Sequence, residues 1–243
     1  MTSCLADPPT LASTAPQVGG LIPYSSVDYP GELAIVVFIQ GCPWRCGYCH
    51  NPHLQPRHEG NTGWQEVENL MQRRQGLIDA VVFSGGEPTL DPGLPAALRM
   101  AKQLGYKTGL HSGGIYPDRL RQALPWLDWV GMDIKAPFDR YDAITGRPRS
   151  ATSARASLEL LLNSNVTLEC RSTIHPALHT PDEIWRMAST LASQGVRHYA
   201  LQLFRPDGCR DDALNAVPLA NYPGVKLTAR IEALFDTFSL RRG

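Results

Sequence analysis

Six short runs of apolar, largely β-branched residues recur along the chain, at 33–39, 77–83, 106–110, 129–134, 166–174 and 196–204. The first is apolar without interruption, the pattern of a parallel strand covered on both faces. Between the runs lie stretches whose apolar positions repeat at helical spacing, at 64–74, 95–104, 117–124, 151–163 and 181–194. Pro95, Pro117 and Pro181 suit the first turn of a helix, where a missing N–H costs little. Gly105 and Gly195 stand where left-handed caps end helices. The β-α order, repeated about six times, predicts parallel strands joined by right-handed crossovers. Periodicity leaves a doubly wound sheet and an open or partial barrel equally open. Residues 207–222 read as an irregular loop and 225–238 as a terminal helix. Residues 1–20, rich in Ser, Thr, Ala and Pro, are expected to form a flexible leader, and 21–243 a single domain.

Composition narrows the class. With 43% hydrophobic and 19% charged residues, 243 positions supply a core for one α/β domain. Lys plus Arg and Asp plus Glu both count 23, so nothing points to general nucleic-acid or membrane-surface binding. No apolar run reaches the roughly 18 residues of a spanning helix, and the N-terminus lacks a basic n-region and an apolar h-region. Three of the six cysteines crowd into eight residues. That suits a metal site in a reducing compartment, hence the cytoplasm, better than a disulfide framework.

The crowded cysteines follow the first strand, in Gln40-Gly41-Cys42-Pro43-Trp44-Arg45-Cys46-Gly47-Tyr48-Cys49-His50-Asn51. Three thiolates in one loop suit an iron–sulfur cubane. One of its four irons would then lack a protein ligand and stay open to a substrate's amino and carboxylate groups. The alternative is a structural zinc site with His50 or His53 as fourth ligand. The loop's place at the C-terminal end of a parallel strand, where α/β proteins build active sites, favours catalysis. The second strand ends in Gly85-Gly86-Glu87, whose glycines admit a close ligand; a turn with a capping Glu is the plainer reading.

The cysteine spacing after strand one, with Gly85-Gly86-Glu87 after strand two, resembles the radical S-adenosylmethionine (SAM) superfamily. The resemblance implies a partial (β/α)6 barrel. It also implies a [4Fe–4S] cluster on Cys42, Cys46 and Cys49 that reductively cleaves SAM to a 5′-deoxyadenosyl radical. It places Tyr48 near the adenine, and Gly85, Gly86 and Glu87 at the methionine amino group. Ser26-Val27-Asp28-Tyr29-Pro30-Gly31, Cys49-His50-Asn51, Met132-Asp133-Ile134-Lys135-Ala136-Pro137 and Arg171-Ser172-Thr173-Ile174-His175-Pro176 resemble the activases of glycyl radical enzymes. They are most similar to the longer form of the activating protein of anaerobic ribonucleoside-triphosphate reductase, over about residues 20–237. By that likeness Asp133 and Lys135 contact SAM, and Arg171 reaches its carboxylate or Glu87. The alternatives are a buried ion pair for Asp133 and Lys135, and a structural pairing for Arg171.

Pyruvate formate-lyase activases carry Asp-Thr-Asn-Gly where this chain has His111-Ser112-Gly113-Gly114. Ser112 is therefore carried over as a SAM contact and His111 is not. Arg205, after the sixth strand, stands near the place of those activases' adenosine-side His. Cys4 reads as incidental, Cys170 as core, and Cys209 lies in a loop; none of the three is expected to hold the cluster. The implied reaction abstracts hydrogen from a glycine of a partner, anaerobic ribonucleotide reductase, with reduced flavodoxin or ferredoxin as electron donor. The 207–222 loop is the expected docking surface. Rival readings are a radical SAM enzyme acting on a small molecule, such as a 7-carboxy-7-deazaguanine synthase, and a non-catalytic zinc module.

Overall fold

The computed structural model describes residues 15–58, 60 and 62–242. Eight strands form one sheet in the order of the sequence. β1 (Val18–Ser25) runs antiparallel to β2 (Ala34–Ile39). Then follow α1 (Trp64–Arg74), β3 (Ala80–Gly85), α2 (Leu94–Gln103), β4 (Lys107–Ser112), α3 (Pro117–Ala123), β5 (Trp129–Asp133), α4 (Tyr141–Thr145) and α5 (Ser150–Leu162). The chain continues through β6 (Thr167–Ile174), α6 (Pro181–Ser193), β7 (His198–Leu203), α7 (Asp212–Asn215), α8 (Val225–Glu232) and β8 (Thr237–Arg241). Strands β2 to β8 are parallel. A doubly wound sheet reverses its strand order at a switch point; this one never does. The winding is that of a partial barrel, left open between β1 and β8.

All six strands read from the apolar runs form, as do the five intervening helices. In α6, Ile184, Met187, Ala188 and Leu191 are buried at helical spacing, and Thr180 and Glu183 close a capping box at its start. Gly105 and Gly195 take the expected positive φ, 88° and 96°. Three expectations need correction. Residues 1–14 of the expected leader, Cys4 among them, lie outside the described residues, but Val18–Gly20 begin β1. That strand carries Gly19, Gly20 and Pro23 and lacks a two-residue alternation because it is an edge, with one side unpaired. The terminal helix stops at Glu232, and Thr237–Arg241 instead pair with β7. There Arg241 reaches across to the Glu169 carboxylate at 2.7 Å. The 207–222 loop contains α7, capped by the Asp211 side chain.

Alternation along the strands sorts their residues. Outward positions such as Val81, Phe83, Leu110, Val130, Met132, Cys170 and Leu201 join the main core under the helices. Inward positions differ between the two ends of the barrel. Toward the N-terminal ends, Ala34, Ala80, Val82 and Trp129 enclose Tyr29, whose ring lies 5.1 Å from that of Trp129. The Asp28-Tyr29-Pro30-Gly31 turn thus plugs the barrel floor. Toward the C-terminal ends the inward residues turn polar.

Candidate active site

Those polar inward residues, Ser84, His111, Asp133, Arg171, Thr173 and Gln202, line an open cleft together with the cysteine loop. The cleft holds a cavity of about 240 Å³, just below the roughly 300–1,000 Å³ typical of small-molecule sites.

The cysteine loop leaves β2 through Gly41, at φ 103°. It is anchored by the Gly41 and Cys42 amides, which donate to the carbonyls of Leu54 and Gln55 at 2.8 and 2.9 Å. Buried Gln40 reinforces this, its amide nitrogen donating to the carbonyls of His53 and Pro56. Cys42, Cys46 and Cys49 are half-buried and all three line the cleft. Burial pushes the Cys42 thiol up to about 12, with the Glu87 charge adding to it, and burial raises Cys46 as well. These sulfurs become thiolates only beside a cation, as metal ligands do.

Whether the residues fit a cluster is tested by their arrangement. Among the described residues no three His, Cys, Asp or Glu side chains gather as they would around a single ion. A zinc ion needs its ligands about 2.3 Å from one point. A cubane offers a separate iron to each sulfur, and the three cysteines on one wall of the cleft supply a thiolate set that such a cluster takes. The Tyr48 hydroxyl and His50 Nε2 are buried in the same wall without a hydrogen-bond partner, a state that calls for a ligand or water. His50 packs on Phe204, with ring centroids 5.7 Å apart.

Opposite the loop lies a partly buried ion triad. Asp133 Oδ1 accepts from Arg171 Nε at 3.0 Å and Nη2 at 2.8 Å, and its Oδ2 accepts from Lys135 Nζ at 2.9 Å. Side-chain exposure is 8% for Arg171 and 17% for Lys135. Burial alone would raise the Asp133 carboxyl, but the Lys135 and Arg171 cations hold it well below the carboxylate range. Burial opposes the Lys135 charge too, and Asp133 more than restores it. Lys135 Nζ lies 5.8 Å from the Tyr48 ring. Arg171 has its place because Gly131 lacks a side chain: a Cβ there would come within 2.9 Å of the guanidinium carbon.

Glu87 and Ser112 turn inward on each other. Glu87 is fully buried; its carboxylate accepts from the Thr89 amide and hydroxyl, the Ser112 hydroxyl at 2.8 Å and the Gly113 amide at 2.9 Å. Burial raises its carboxyl against those bonds. It caps the short 3-10 turn Pro88–Leu90, as the plainer reading of the sequence had it. Ser112 spends its proton on Glu87 and accepts from the Gly114 amide at 2.9 Å, so it has no donor left for a ligand. Gly86 also departs from expectation. A Cβ on it would meet the Gly41 carbonyl carbon at 2.7 Å and the Leu54 oxygen at 2.9 Å. The missing side chain admits the cysteine loop's backbone, while Gly86 itself still lines the cleft.

His111 bridges the floor to the cleft. Its Nε2 faces the Asp28 carbonyl at 2.8 Å and so must carry the proton, which leaves Nδ1 to accept from Ser84 Oγ at 3.1 Å. Burial, with Arg171 nearby, lowers its pKa to about 3; it is a neutral structural tie. Arg205 is exposed past the end of β7 and is not in the wall. Thr173 and Gln202 are, and sequence reasoning missed them along with Asp28, Trp44 and Gln55. Thr173 was within reach: it stands two residues beyond Arg171, on the same strand face. Cys170 points outward into the core. Cys209 lies with its Sγ 3.5 Å from the Gly47 carbonyl, and Gly208 sits directly against the His50 carbonyl. The 207–222 loop thus braces the cysteine loop, and deleting its centre would disturb more than docking.

Residues 36–191 match the Radical SAM superfamily. A protein of Methanocaldococcus jannaschii named as a glycyl-radical enzyme activating enzyme is 28% identical over 209 residues, 83% of this chain and 85% of the relative. Pyruvate formate-lyase-activating enzyme of Clostridium pasteurianum is 33% identical over 159 residues, 63% of this chain and 66% of that enzyme. The crystal structure of QueE from Escherichia coli shares the fold, with TM-score 0.58 at 16% identity over 94% of this chain and 93% of that one.

Proposed function

Because the chain belongs to the radical SAM superfamily, with a [4Fe–4S] cluster and SAM as its cofactors, we propose that it activates a glycyl radical enzyme. The observation that carries the chemistry is the single cleft in which Cys42, Cys46 and Cys49 face the Asp133–Lys135–Arg171 triad. The choice of a protein substrate is supported by the relative that matches over most of both chains. When bound, the cluster supplies one electron for reductive cleavage of SAM, giving a carbon radical able to take hydrogen from a glycine Cα. The three cysteines would hold three irons. Lys135 and Arg171 would present cationic N–H groups to the SAM carboxylate, held in place by Asp133. Tyr48 would offer its ring and unpartnered hydroxyl to the nucleoside. Gly85, Gly86 and Glu87 would shape the wall at the amino group, Glu87 through the one carboxylate oxygen that carries a single bond. The protein's part is positioning and exclusion of water; no side chain need move a proton.

The partner we propose is anaerobic ribonucleotide reductase, supported by the Asp28-Tyr29-Pro30-Gly31, Cys49-His50-Asn51 and Asp133-Ile134-Lys135 pattern. The setting is the cytoplasm, with a reduced flavodoxin or ferredoxin as donor. No helix among the described residues is long and apolar enough to cross a membrane. The test is anaerobic reconstitution with iron and sulfide, then a glycyl-radical EPR assay with SAM, reductant and candidate partners. A doublet in the reductase is the expected result. SAM cleavage without a glycyl radical in any co-encoded partner would refute the activase assignment and leave the family unaffected.

A further inference from the structure

The outer side of the cysteine loop carries a feature that the cleft does not use. Arg45, immediately before Cys46, is exposed and folds its guanidinium onto the carbonyls of Cys42 and Trp44 at 2.6 and 2.7 Å. Arg147, also exposed, donates from Nε to the Pro43 carbonyl at 2.7 Å. Arg149 follows two residues later, exposed and in the left-handed region at φ 60°, a conformation uncommon for a non-glycine residue. Its amide is held by Asp142 Oδ2 at 2.7 Å. The segment Gly146–Arg149 is pressed onto the loop: the Arg45 amide donates to the Thr145 carbonyl at 2.8 Å, and a Cβ on Gly146 would touch Arg45 Cβ at 3.3 Å.

None of the three arginines lines the cleft, and among the described residues none makes an ion pair. The nearest carboxylate on that segment, Asp142, is turned onto the Arg149 and Ser150 amides. On the other flank of the loop, Asp211 caps Leu214. The chain as a whole is neutral by formal charge, so the cationic cluster is local. The guanidinium groups of Arg45 and Arg147 are hydrogen-bonded to the backbone of the metal-binding loop and, with exposed Arg149 beside them in sequence, are open to water, placed to receive carboxylates from a partner.

Resting on the radical SAM reading above, we propose that Arg45, Arg147 and Arg149 form the docking surface for a small acidic protein that carries one electron. The reaction requires one electron from outside. The patch abuts the backbone of Cys42 and Cys46, a short path to the cluster that leaves the cleft mouth clear for a substrate protein. In the step, one electron leaves the carrier's reduced redox group and enters the cluster; no atom or proton is exchanged, and the oxidised carrier dissociates.

The test uses the full-length, anaerobically reconstituted chain and the charge reversal Arg147→Glu/Arg149→Glu, leaving Arg45 in place. Oxidised flavodoxin and an acidic [2Fe–2S] ferredoxin are titrated against it by calorimetry at several salt concentrations. SAM cleavage is then driven either by the reduced carriers or by reduced methyl viologen, a small cation with no need of the patch. The expected result is at least tenfold weaker binding of one carrier with a shallower salt dependence. Carrier-driven cleavage should fall by a similar factor, with iron content and viologen-driven cleavage unchanged. Unchanged carrier binding overturns the proposal, as does an equal fall with both reductants, which would mark the arginines as braces of the loop. So does loss of glycyl-radical installation, or of oligonucleotide binding, with carrier binding intact. A wild-type chain that cleaves no SAM with viologen refutes the radical SAM reading instead, and that outcome is separate from the binding result.

Discussion

Gly86→Ala distinguishes a glycine that serves a ligand from one that serves the cysteine loop. The added methyl would lie 2.7 Å from the Gly41 carbonyl carbon and 2.9 Å from the Leu54 oxygen. Both are backbone atoms, so no rotamer change relieves the clash. The loop must withdraw, which strains the Glu87 amide bond to the Gly41 carbonyl and the Gly41 amide bond to the Leu54 carbonyl, both 2.8 Å. Two such bonds contribute about 1 kcal/mol each, and overpacking adds roughly 1–3 kcal/mol. A loss of about 3–5 kcal/mol in urea unfolding follows. Cys42 is the next residue after Gly41, so the shift passes directly to a ligand. Iron per chain after anaerobic reconstitution should drop below about half of wild type, by the same displacement. Gly63→Ala, where nothing lies within 4 Å of the new methyl, should leave both readouts unchanged. A Gly86→Ala protein of wild-type stability and full iron content that loses only SAM affinity would refute this reasoning. The glycine would then face the ligand after all.

Asp133→Asn leaves two buried cations without their counter-charge, a change that costs roughly 3–5 kcal/mol in a closed core. With Asp133 30% exposed, about 2–3 kcal/mol is expected in urea unfolding. Because folding holds this carboxyl below its usual range, its stabilisation is complete above about pH 4 and disappears on further acidification. The wild-type minus variant difference should therefore be flat from pH 8 to about 5; a difference that already shrinks by pH 6 would contradict the assignment. His111 has the same sign through a different charge. Its folded pKa of about 3 lies below the unfolded value of about 6.5, so the unfolded chain gains a proton first as pH falls. His111→Gln should remove roughly 2 kcal/mol of the stability lost between pH 7 and 5, read from unfolding curves at the two pH values. Alanine at Cys42, Cys46 or Cys49 should abolish reductive SAM cleavage, while Cys170→Ala should keep full iron; iron loss in Cys170→Ala equal to that of the loop variants would overturn the ligand set.

Most of the barrel was legible because buried parallel strands leave unbroken apolar runs, and a proline or a left-handed glycine marked several helix ends. The edges were not. β1 holds Gly19, Gly20 and Pro23 and is covered on one side only, so no period of two survives in it. After α8, Leu234 and Phe235 continue an apolar spacing that reads as helix, and only pairing with β7 makes Thr237–Arg241 a strand. The motifs located the site but not its free valences. That Arg171 meets Asp133 depends on the β5–β6 register, which sets those two residues side by side, a long-range fact with no local signature. Ser112 and most of Glu87 are used up on each other, and Asp133 on its two cations. The buried polar groups of the cleft wall left without a partner are the Tyr48 hydroxyl and His50 Nε2, both within the cysteine loop. A ligand's specificity is therefore set less by the polar strand ends, which hold one another, than by the loop whose backbone Gly86 admits.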